Sequence, residues 1–574
     1  MGAAEAHGAA RHGGRRALTI AAMVAAATIL PAGAAAQVSQ PGGRATDQFE
    51  RPSLPESQAV SPYRIERPRA AAAADDFTFA VRRIVVEGAG EIPAGELAAL
   101  TAPLENKVVS FADLAAVADR ITALYAARGF ALSFALLPEQ TVADGLVRIR
   151  VVEGSLDAIT VRFAGSPPLA GRRRVEAAIR RRLSGIIQAG PVRSADLERA
   201  LLGIDDLDGF EVSFVVRPSA STEGAASLDV ILTGRPLTPS LSIDNRLRDE
   251  FGRVEGFAAL SIGSSLIVGD RIDLASRHTL GEGFAFASAG YSAPLGDSLA
   301  RVHADYSIAR TEAQSGLLGL LEFRGREESF AAGIRYPLIR SRARTLALGA
   351  QISGIDTSSR LLDTLVVRDR IRMVAGSVSY DWADAGGARS LATFRLTQGI
   401  EGLGATGSTN PLRSRANGRP DATFANLRLY RDQPLPAGLR FRLDAEAQMT
   451  LSSGGLLAAN ECTFGGPAIG RGYDAGVLSG DDCIRAGGEL ARPVRAGRGA
   501  MEPYAFVDWG LLRQRGTLES GEERERDATS FGFGVRFFSH FGLAADLQLA
   551  WPGERLAPGA GRDPRLFFSI TFQR

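Results

Sequence analysis

Roughly the last 340 residues of this chain alternate apolar and polar side chains with a period of two. In Leu439-Arg440-Phe441-Arg442-Leu443-Asp444-Ala445-Glu446-Ala447-Gln448-Met449, one face is Leu, Phe, Leu, Ala, Ala and Met; the other is Arg, Arg, Asp, Glu and Gln. A period of two is that of a β-strand, whose successive side chains point to opposite faces. The same pattern sets Val302, Ala304, Tyr306 and Ile308 against Arg301, His303, Asp305 and Ser307, and Leu543, Ala545, Leu547, Leu549 and Trp551 against Asp546 and Gln548. Too few helices accompany these segments to cover so many apolar faces. Ten-residue strands that are apolar outward and charged inward define a transmembrane β-barrel with a wet lumen.

Sixteen such segments are expected between 240 and 573, an even number as bacterial barrels require. Their connections sort by parity. After even-numbered strands they are tight, as at Leu295-Gly296-Asp297, Leu435-Pro436 and Ser539-His540; after odd ones come all the long loops, 311–326, 356–369, 402–421, 452–484 and 512–527. Short periplasmic turns and long outer loops place both ends of the barrel, 237–574, in the periplasm.

Composition hides this architecture, because 45% hydrophobic residues and a formal charge of +2 would suit a soluble protein. The near-neutral balance, with arginines matched by acids along the strands, excludes a nucleic-acid partner. The concentrated basic stretch at Arg172–Arg174 and Arg180–Arg182 reads as a solvated helix face. Arg11, Arg15 and Arg16 precede the apolar run Ala17–Leu30, and Ala34 and Ala36 fit small-x-small cleavage after Ala36. Residues 1–36 are therefore expected to be a signal peptide, too short in their apolar part to anchor. Residues 37–76 read as linker, with room for a short plug helix before Pro52 that the sequence does not force.

Between 77 and 236 the pattern is mixed. Val81–Val86 reads as a strand, Phe111–Arg128 as an amphipathic helix stopped by Gly129, and Ala131–Leu137 and Gly145–Val152 as strands. A second pass has strand Asp157–Phe163, helices Arg173–Leu183 and Ser194–Leu202, and strands Glu211–Val216 and Ser227–Thr233. The expectation is two tandem β-α-α-β-β units, 77–154 and 155–236, ahead of a sixteen-stranded antiparallel barrel.

In the longest loop, Gly465-Gly466 leads to Ile469-Gly470-Arg471-Gly472-Tyr473, then Ser479-Gly480-Asp481-Asp482 and Gly488-Glu489-Leu490; Phe506-Val507-Asp508-Trp509-Gly510 follows. In this order and context, the chain resembles the two-partner secretion transporters, the TpsB branch (ShlB/FhaC/HecB type) of the BamA-type outer-membrane superfamily. Their small modules are POTRA domains. The family pattern is Val-Arg-Gly-Tyr/Phe, then Ser-Gly-Asp and a Glu-Leu strand, with Phe-x-Asp-x-Gly on the adjoining wall; Gly470 departs from the usual Val. The resemblance implies that Arg471 pairs with Asp508 and holds the loop inside the barrel.

The residues bear on that expectation independently. Arg471 sits in a loop long enough to fold into the lumen, and Asp508 shares a face with Tyr504 and Phe506, opposite Val507 and Trp509. A guanidinium fork suits a carboxylate partner there; the bland alternative is a solvated loop arginine and one of many lumenal acids. Gly472 is expected to turn at positive φ, Tyr473 to pack the tip, and Glu489 to be a candidate third member. Cys462 and Cys483, the only cysteines, bracket the loop, and an isolated pair in an oxidising compartment favours a disulfide.

No nucleophile elbow, zinc helix motif or phosphate loop is present, so no enzyme, cofactor or metal site is expected. Asp444 and Glu446 are expected to balance Arg440 and Arg442 within the lumen. The resemblance implies an outer-membrane transporter that receives an unfolded exoprotein, an adhesin or haemolysin, through its N-terminal secretion domain. Outer-membrane lipid and the barrel-assembly machinery are the further expected partners. Two rivals stay open: a barrel-assembly or translocation-assembly insertase, which usually carries three or more POTRA modules, and a diffusion porin.

Overall fold

The computed structural model describes residues 64–65, 78–187, 190–219, 221–222, 225–518, 523–556 and 561–573. The expected signal peptide, and with it nearly all of the linker, lies outside the described residues. No described helix is long and apolar enough to cross a membrane; strands make the crossing.

The first unit comprises β1 (Thr78–Val81), β2 (Arg83–Glu87), α1 (Ala94–Thr101), β3 (Lys107–Ser110), α2 (Phe111–Ala127), β4 (Phe134–Leu136) and β5 (Leu146–Val152). Strand β5 pairs parallel with β2 and antiparallel with β4, while β1 and β3 form a separate ribbon. Helix α2 begins where it does because Ser110 and Asp113 cap it reciprocally, the Asp113 amide donating to Ser110 Oγ at 3.2 Å and the Ser110 amide to Asp113 Oδ2 at 2.9 Å. These bonds hold the Asp113 carboxyl below its usual range. Leu114, Val117, Ala118, Ile121 and Tyr125, spaced three or four apart, bury one helix face against Val147, Ile149 and Val151 of β5.

The second unit runs β6 (Ser155–Gly165), α3 (Arg172–Ile187), α4 (Ser194–Asp205), β7 (Phe210–Pro218) and β8 (Ala225–Gly234). Its sheet has β8 between β7 and β6, and Arg64–Ile65 adds a parallel fragment at Val215 and Val216 of β7. Val175, Ile179 and Leu183 of α3 and Leu197 and Leu201 of α4 pack on Phe214, Leu228, Val230 and Leu232.

The barrel closes through sixteen long strands: β9 (Leu237–Asp244), β10 (Glu255–Gly263), β11 (Arg271–Thr279), β12 (Phe284–Pro294), β13 (Arg301–Glu312), β14 (Arg324–Arg340), β15 (Arg344–Leu361), β16 (Thr364–Ala383), β17 (Arg389–Gly399), β18 (Thr423–Pro434), β19 (Arg440–Thr450), β20 (Asp482–Ala491), β21 (Gly499–Arg513), β22 (Glu525–Phe538), β23 (Leu543–Pro552) and β24 (Arg565–Gln573). Strand β9 pairs with β24 from Ser240↔Gln573 to Asp244↔Ser569 and closes the cylinder. Outward side chains such as Tyr306, Phe330, Ile352, Val374, Phe394, Leu427, Val507 and Phe531 are exposed, an apolar band suited to lipid.

One expected loop is absent. Residues 356–369 extend β15 and β16 instead, joined by Leu362 and Asp363, both at positive φ. Their outward side chains, among them Asp356, Ser358, Arg368 and Arg370, are polar. A strand that rises beyond the lipid needs no apolar outer face, so hydrophobic alternation stops before the strand does.

The second unit is docked on the periplasmic turns. Arg340 places Nη2 2.7 Å from Asp206 Oδ1 and Nε 3.1 Å from Oδ2; Arg301 Nη2 is 2.6 Å from Asp208 Oδ2; Arg181 Nε is 3.0 Å from Asp297. The Arg342 amide donates to Glu198 at 2.8 Å. Next to this contact, burial reinforced by the Asp206 charge pushes Asp205 up to about 6. Removing charge-assisted bonds of this kind costs about 1.5–3 kcal/mol each. Arg340→Ala with Arg301→Ala is therefore expected to raise amide exchange across Ser194–Asp208 by about tenfold or more, with the heat-stable barrel band on gels unchanged. Unaltered exchange would show that these pairs do not hold the unit.

Candidate functional site: an inward loop clasped to the barrel wall

The connection between β19 and β20 folds into the lumen. Because β20 begins at Asp482, the loop is shorter than the expected 452–484, and Cys483 stands on the strand itself. Cys462 and Cys483 form a disulfide with Cα atoms 6.4 Å apart, closing a span of 21 residues. A closure of that length removes about 3 kcal/mol of unfolded-chain entropy. Between the cysteines, Cys462–Phe464 pairs antiparallel with Leu478–Gly480, so the loop carries its own ribbon. Phe464, Ile469, Tyr473 and Leu478 bury together with Leu512 and Ala528 of the wall.

Arg471 is at the turn of this ribbon. Its Nη2 lies 2.8 Å from Asp508 Oδ1, its Nε 3.2 Å from both carboxylate oxygens, and its Nη1 2.8 Å from Glu489 Oε2. The backbone joins in: the amides of Gly470 and Arg471 donate to Asp508 Oδ2 at 3.0 and 2.8 Å, and Ser530 Oγ donates at 3.1 Å. The guanidinium carbon lies 3.7 Å from the centre of the Phe506 ring, a cation–π stack. Both partners are buried, Arg471 to 7% exposure and Asp508 to 1%.

Glycines make room for this arrangement. Gly470 has φ +88°, and a Cβ there would meet the Gly465 amide nitrogen at 2.6 Å; its departure from Val suits the turn it makes. Gly472, expected to supply the positive φ, does not adopt one; a Cβ there would lie 2.7 Å from the Trp551 carbonyl oxygen, so close backbone approach explains it. On the wall, a Cβ at Gly532 would meet the Phe506 ring at 2.7 Å, and one at Gly487 would meet Asp508 Oδ1 at 2.8 Å. Tyr473 donates to Glu554 Oε2 at 3.0 Å and accepts from the Glu554 amide at 2.9 Å, fastening the tip to the turn beyond β23.

Three residues that sequence reasoning missed extend the clasp. Arg442 Nη1 lies 3.0 Å from Glu489 and 2.7 Å from Glu502; Arg536 Nη1 lies 2.6 Å from Glu489 and 2.9 Å from Glu502. Arg471, Arg442 and Arg536 thus oppose Asp508, Glu489 and Glu502 in one balanced network across β19 to β22. The inward alternation of β21 carries Glu502 on the face of Asp508, and Glu502 stands opposite Arg536 in the register, but that register is not written in the local sequence. The expected balance within β19 does not form. Arg440 pairs with Asp432, Asp444 with Arg428 and Glu446 with Arg485, because the inward faces of the neighbouring strands bring opposite charges within reach of these long side chains.

The clasped tip of the loop leans on β20–β23, while its first residues, Leu456, Leu457 and Ala459, pack on Ile371 and Met373 of β16 and Phe424 of β18. Beside the tip, a cavity of about 620 Å³ is bounded by Thr463, Pro467 and Gly476 of the loop, by Gln351, Thr393, Arg395, Asn426 and Arg428 and the apolar Ile355, Met373 and Phe424 of β15–β18, and by Glu446 and Arg485 of β19 and β20.

Small α/β units ahead of a sixteen-stranded barrel with a clasped inner loop define the architecture of a POTRA-bearing outer-membrane barrel protein. The chain belongs to the family of the haemolysin secretion/activation proteins ShlB/FhaC/HecB, whose model matches residues 230–537, and a ShlB-type POTRA model matches 79–154. It is 25% identical over 405 residues to the outer membrane transporter CdiB of Escherichia coli O6:K15:H31, covering 67% of this chain and 64% of that one. It is 21% identical over 476 residues to the heme/hemopexin transporter protein HuxB of Haemophilus influenzae, covering 80% and 81%. The chain thus spans somewhat under two thirds of that CdiB and most of HuxB. In fold it is similar to the solved structures of CdiB from Escherichia coli (TM-score 0.66, 20% identity, covering 88% of this chain and 93% of the other) and from Acinetobacter baumannii (0.62, 16%, 95% and 100%).

A buried, multiply bonded pair couples its partners. In urea unfolding from lipid vesicles, Arg471→Ala, Asp508→Ala and the double variant are expected to give a coupling energy of about 1–3 kcal/mol. Strict additivity would mean that the pair does not hold the loop.

Proposed function

We propose that the protein is the outer-membrane transporter of a two-partner secretion pair, taking an unfolded exoprotein of the adhesin or haemolysin class from the periplasm and passing it through its barrel. The observation that carries this reading is the asymmetric lumen: a loop tip fastened by six charged side chains to β19–β22, with a cavity of mixed polar and apolar lining beside it, chiefly along β15–β18. An extended chain needs a wetted passage, and Gln351, Thr393, Asn426 and Arg428 provide polar contacts along this one, beside Ile355, Met373, Leu391 and Phe424. The two β-α-α-β-β units, 77–154 and 155–236, are read as tandem POTRA modules that receive the exoprotein's N-terminal secretion domain by strand addition. Outer-membrane lipid surrounds the barrel, and the barrel-assembly machinery would insert it.

No step in this scheme involves bond chemistry, so the protein is read as a non-enzyme without cofactor. Arg471, Asp508 and Glu489 are positioning residues: they set where the loop lies, and hence how wide the passage is. Gly470, Gly472 and Tyr473 shape and seat the turn, and the Cys462–Cys483 staple limits how far the loop can unfold.

The test is secretion per folded barrel. Deleting 156–235 is expected to abolish export while the barrel still reaches the membrane, and Arg471→Ala or Asp508→Ala to lower export about tenfold or more, since losing one partner of a buried pair costs a few kcal/mol. Arg471→Asp combined with Asp508→Arg is expected to restore part of it. Wild-type export from the truncated protein would overturn the module assignment; wild-type export from both single variants would remove the loop's role.

A further inference from the structure

The outward faces of β13 to β16 carry a belt in which arginines outnumber carboxylates, just beyond the lipid band on the side away from the two periplasmic units. On β13 the outward series runs Val302, Ala304, Tyr306, Ile308 and then Arg310; on β14 it runs from Phe330 through Glu328 to Arg326 and Arg324. On β15 it passes Ile352 and reaches Arg360; on β16 it passes Val374 and continues as Arg372, Arg370 and Arg368. Seven guanidinium groups thus share one wall with the carboxylates of Glu312, Glu328, Asp356 and Asp363.

The register sharpens the imbalance. Arg310 stands directly opposite Arg326, and Arg324 directly opposite Arg360, on the same outward face. Like charges in direct cross-strand opposition are destabilising, so two such pairs side by side are expensive unless an anion lies between them. Some members have carboxylate partners: Arg324 with Asp363 at 2.6 Å and Glu312 at 3.4 Å, Arg326 with Glu328, and Arg372 with Asp356 while stacked over Phe330 at 5.4 Å. Arg310, Arg360, Arg368 and Arg370 make no side-chain ion pair or hydrogen bond among the described residues, and none is buried. The belt is local. At the same height on the far wall, the outward ends of β20 to β22 carry Asp482, Arg513, Glu525 and Asp527.

We propose that this belt is a binding site for the phosphorylated headgroups of outer-leaflet lipid. Three features converge on that ligand. The guanidinium fork matches phosphate oxygens in two parallel bonds. The belt starts within one to three outward residues of the last lipid-facing apolar side chain on β13 and β14, where headgroups meet the wall. Two facing arginine pairs suit a multiply charged group, whose charge would turn the cross-strand repulsion into a bridge. Bound there, the lipid would stiffen the tall β14–β16 wall that borders the cavity, on the side opposite the clasped tip.

The test uses the full mature chain in phosphatidylcholine nanodiscs, titrated with diphosphoryl lipid A, with its phosphate-free counterpart and with inorganic pyrophosphate, read by native mass spectrometry. Wild-type protein is expected to retain diphosphoryl lipid A at least tenfold more tightly than the phosphate-free lipid. Arg310→Gln with Arg326→Gln is expected to lose that preference, and Arg513→Gln on the far wall to keep it. Thermal unfolding separates binding from folding. Without lipid A the double variant is expected to melt close to wild type, because relief of the Arg310–Arg326 repulsion offsets loss of the exposed Arg326–Glu328 pair; with lipid A only wild type should gain stability. Equal retention of the two lipids by wild type, or undiminished preference in the double variant, would overturn the proposal. Pyrophosphate bound alone as tightly as lipid A would assign the site to free phosphate and overturn the lipid assignment.

Discussion

The carboxylate of Asp508 organises the interior of this barrel. It accepts hydrogen bonds from two loop amides, from the Arg471 guanidinium and from Ser530, and it is almost wholly removed from solvent. A buried carboxylate on a barrel wall would be costly if left alone. Its position therefore demands a donor-rich partner, and the turn Gly470-Arg471 supplies four donors from two residues. The surroundings follow from that demand: Phe506 offers its face to the guanidinium, Gly532 leaves space for the Phe506 ring, and Gly487 leaves space for the carboxylate.

The clasp acts on function through geometry. A loop that lay in the middle of the lumen would block it; one that lay outside would leave a wide pore. Held by a disulfide at its base and charges at its tip, the loop keeps that tip against β20–β23 and leaves beside it a cavity lined chiefly by β15–β18. Arg442 and Arg536 keep the network neutral, so the clasp adds no net field to the passage. The second small unit, fixed to the turns by Asp206 and Asp208, stands at the periplasmic mouth of the same cylinder.

Much of this was legible before any coordinates. The alternation of Leu439–Met449 declares a barrel strand, and the parity of the connections orients the cylinder. Arg471 and Asp508 could be paired because their faces and the family resemblance agreed. What stayed hidden follows from physics that local sequence does not encode. The outer ends of β15 and β16 read as a loop because a strand above the membrane has no apolar face. Arg442, Glu502 and Arg536 join the clasp through inter-strand register, which depends on shear around the whole cylinder. Gly472 was assigned the turn that Gly470 makes, since two glycines flanking one arginine look alike until backbone contacts separate them.

On the proposed secretion role, the clasp keeps the exoprotein on the cavity side of the lumen. Site-specific photocrosslinking during active secretion tests it most directly, with a photoreactive residue at Thr393 on the cavity wall or at Phe506 beneath the loop. Adducts with the exoprotein at position 393 and none at 506 are the expected result. Crosslinks at 506 comparable to those at 393 would mean that the loop leaves its wall during transport and would contradict the account.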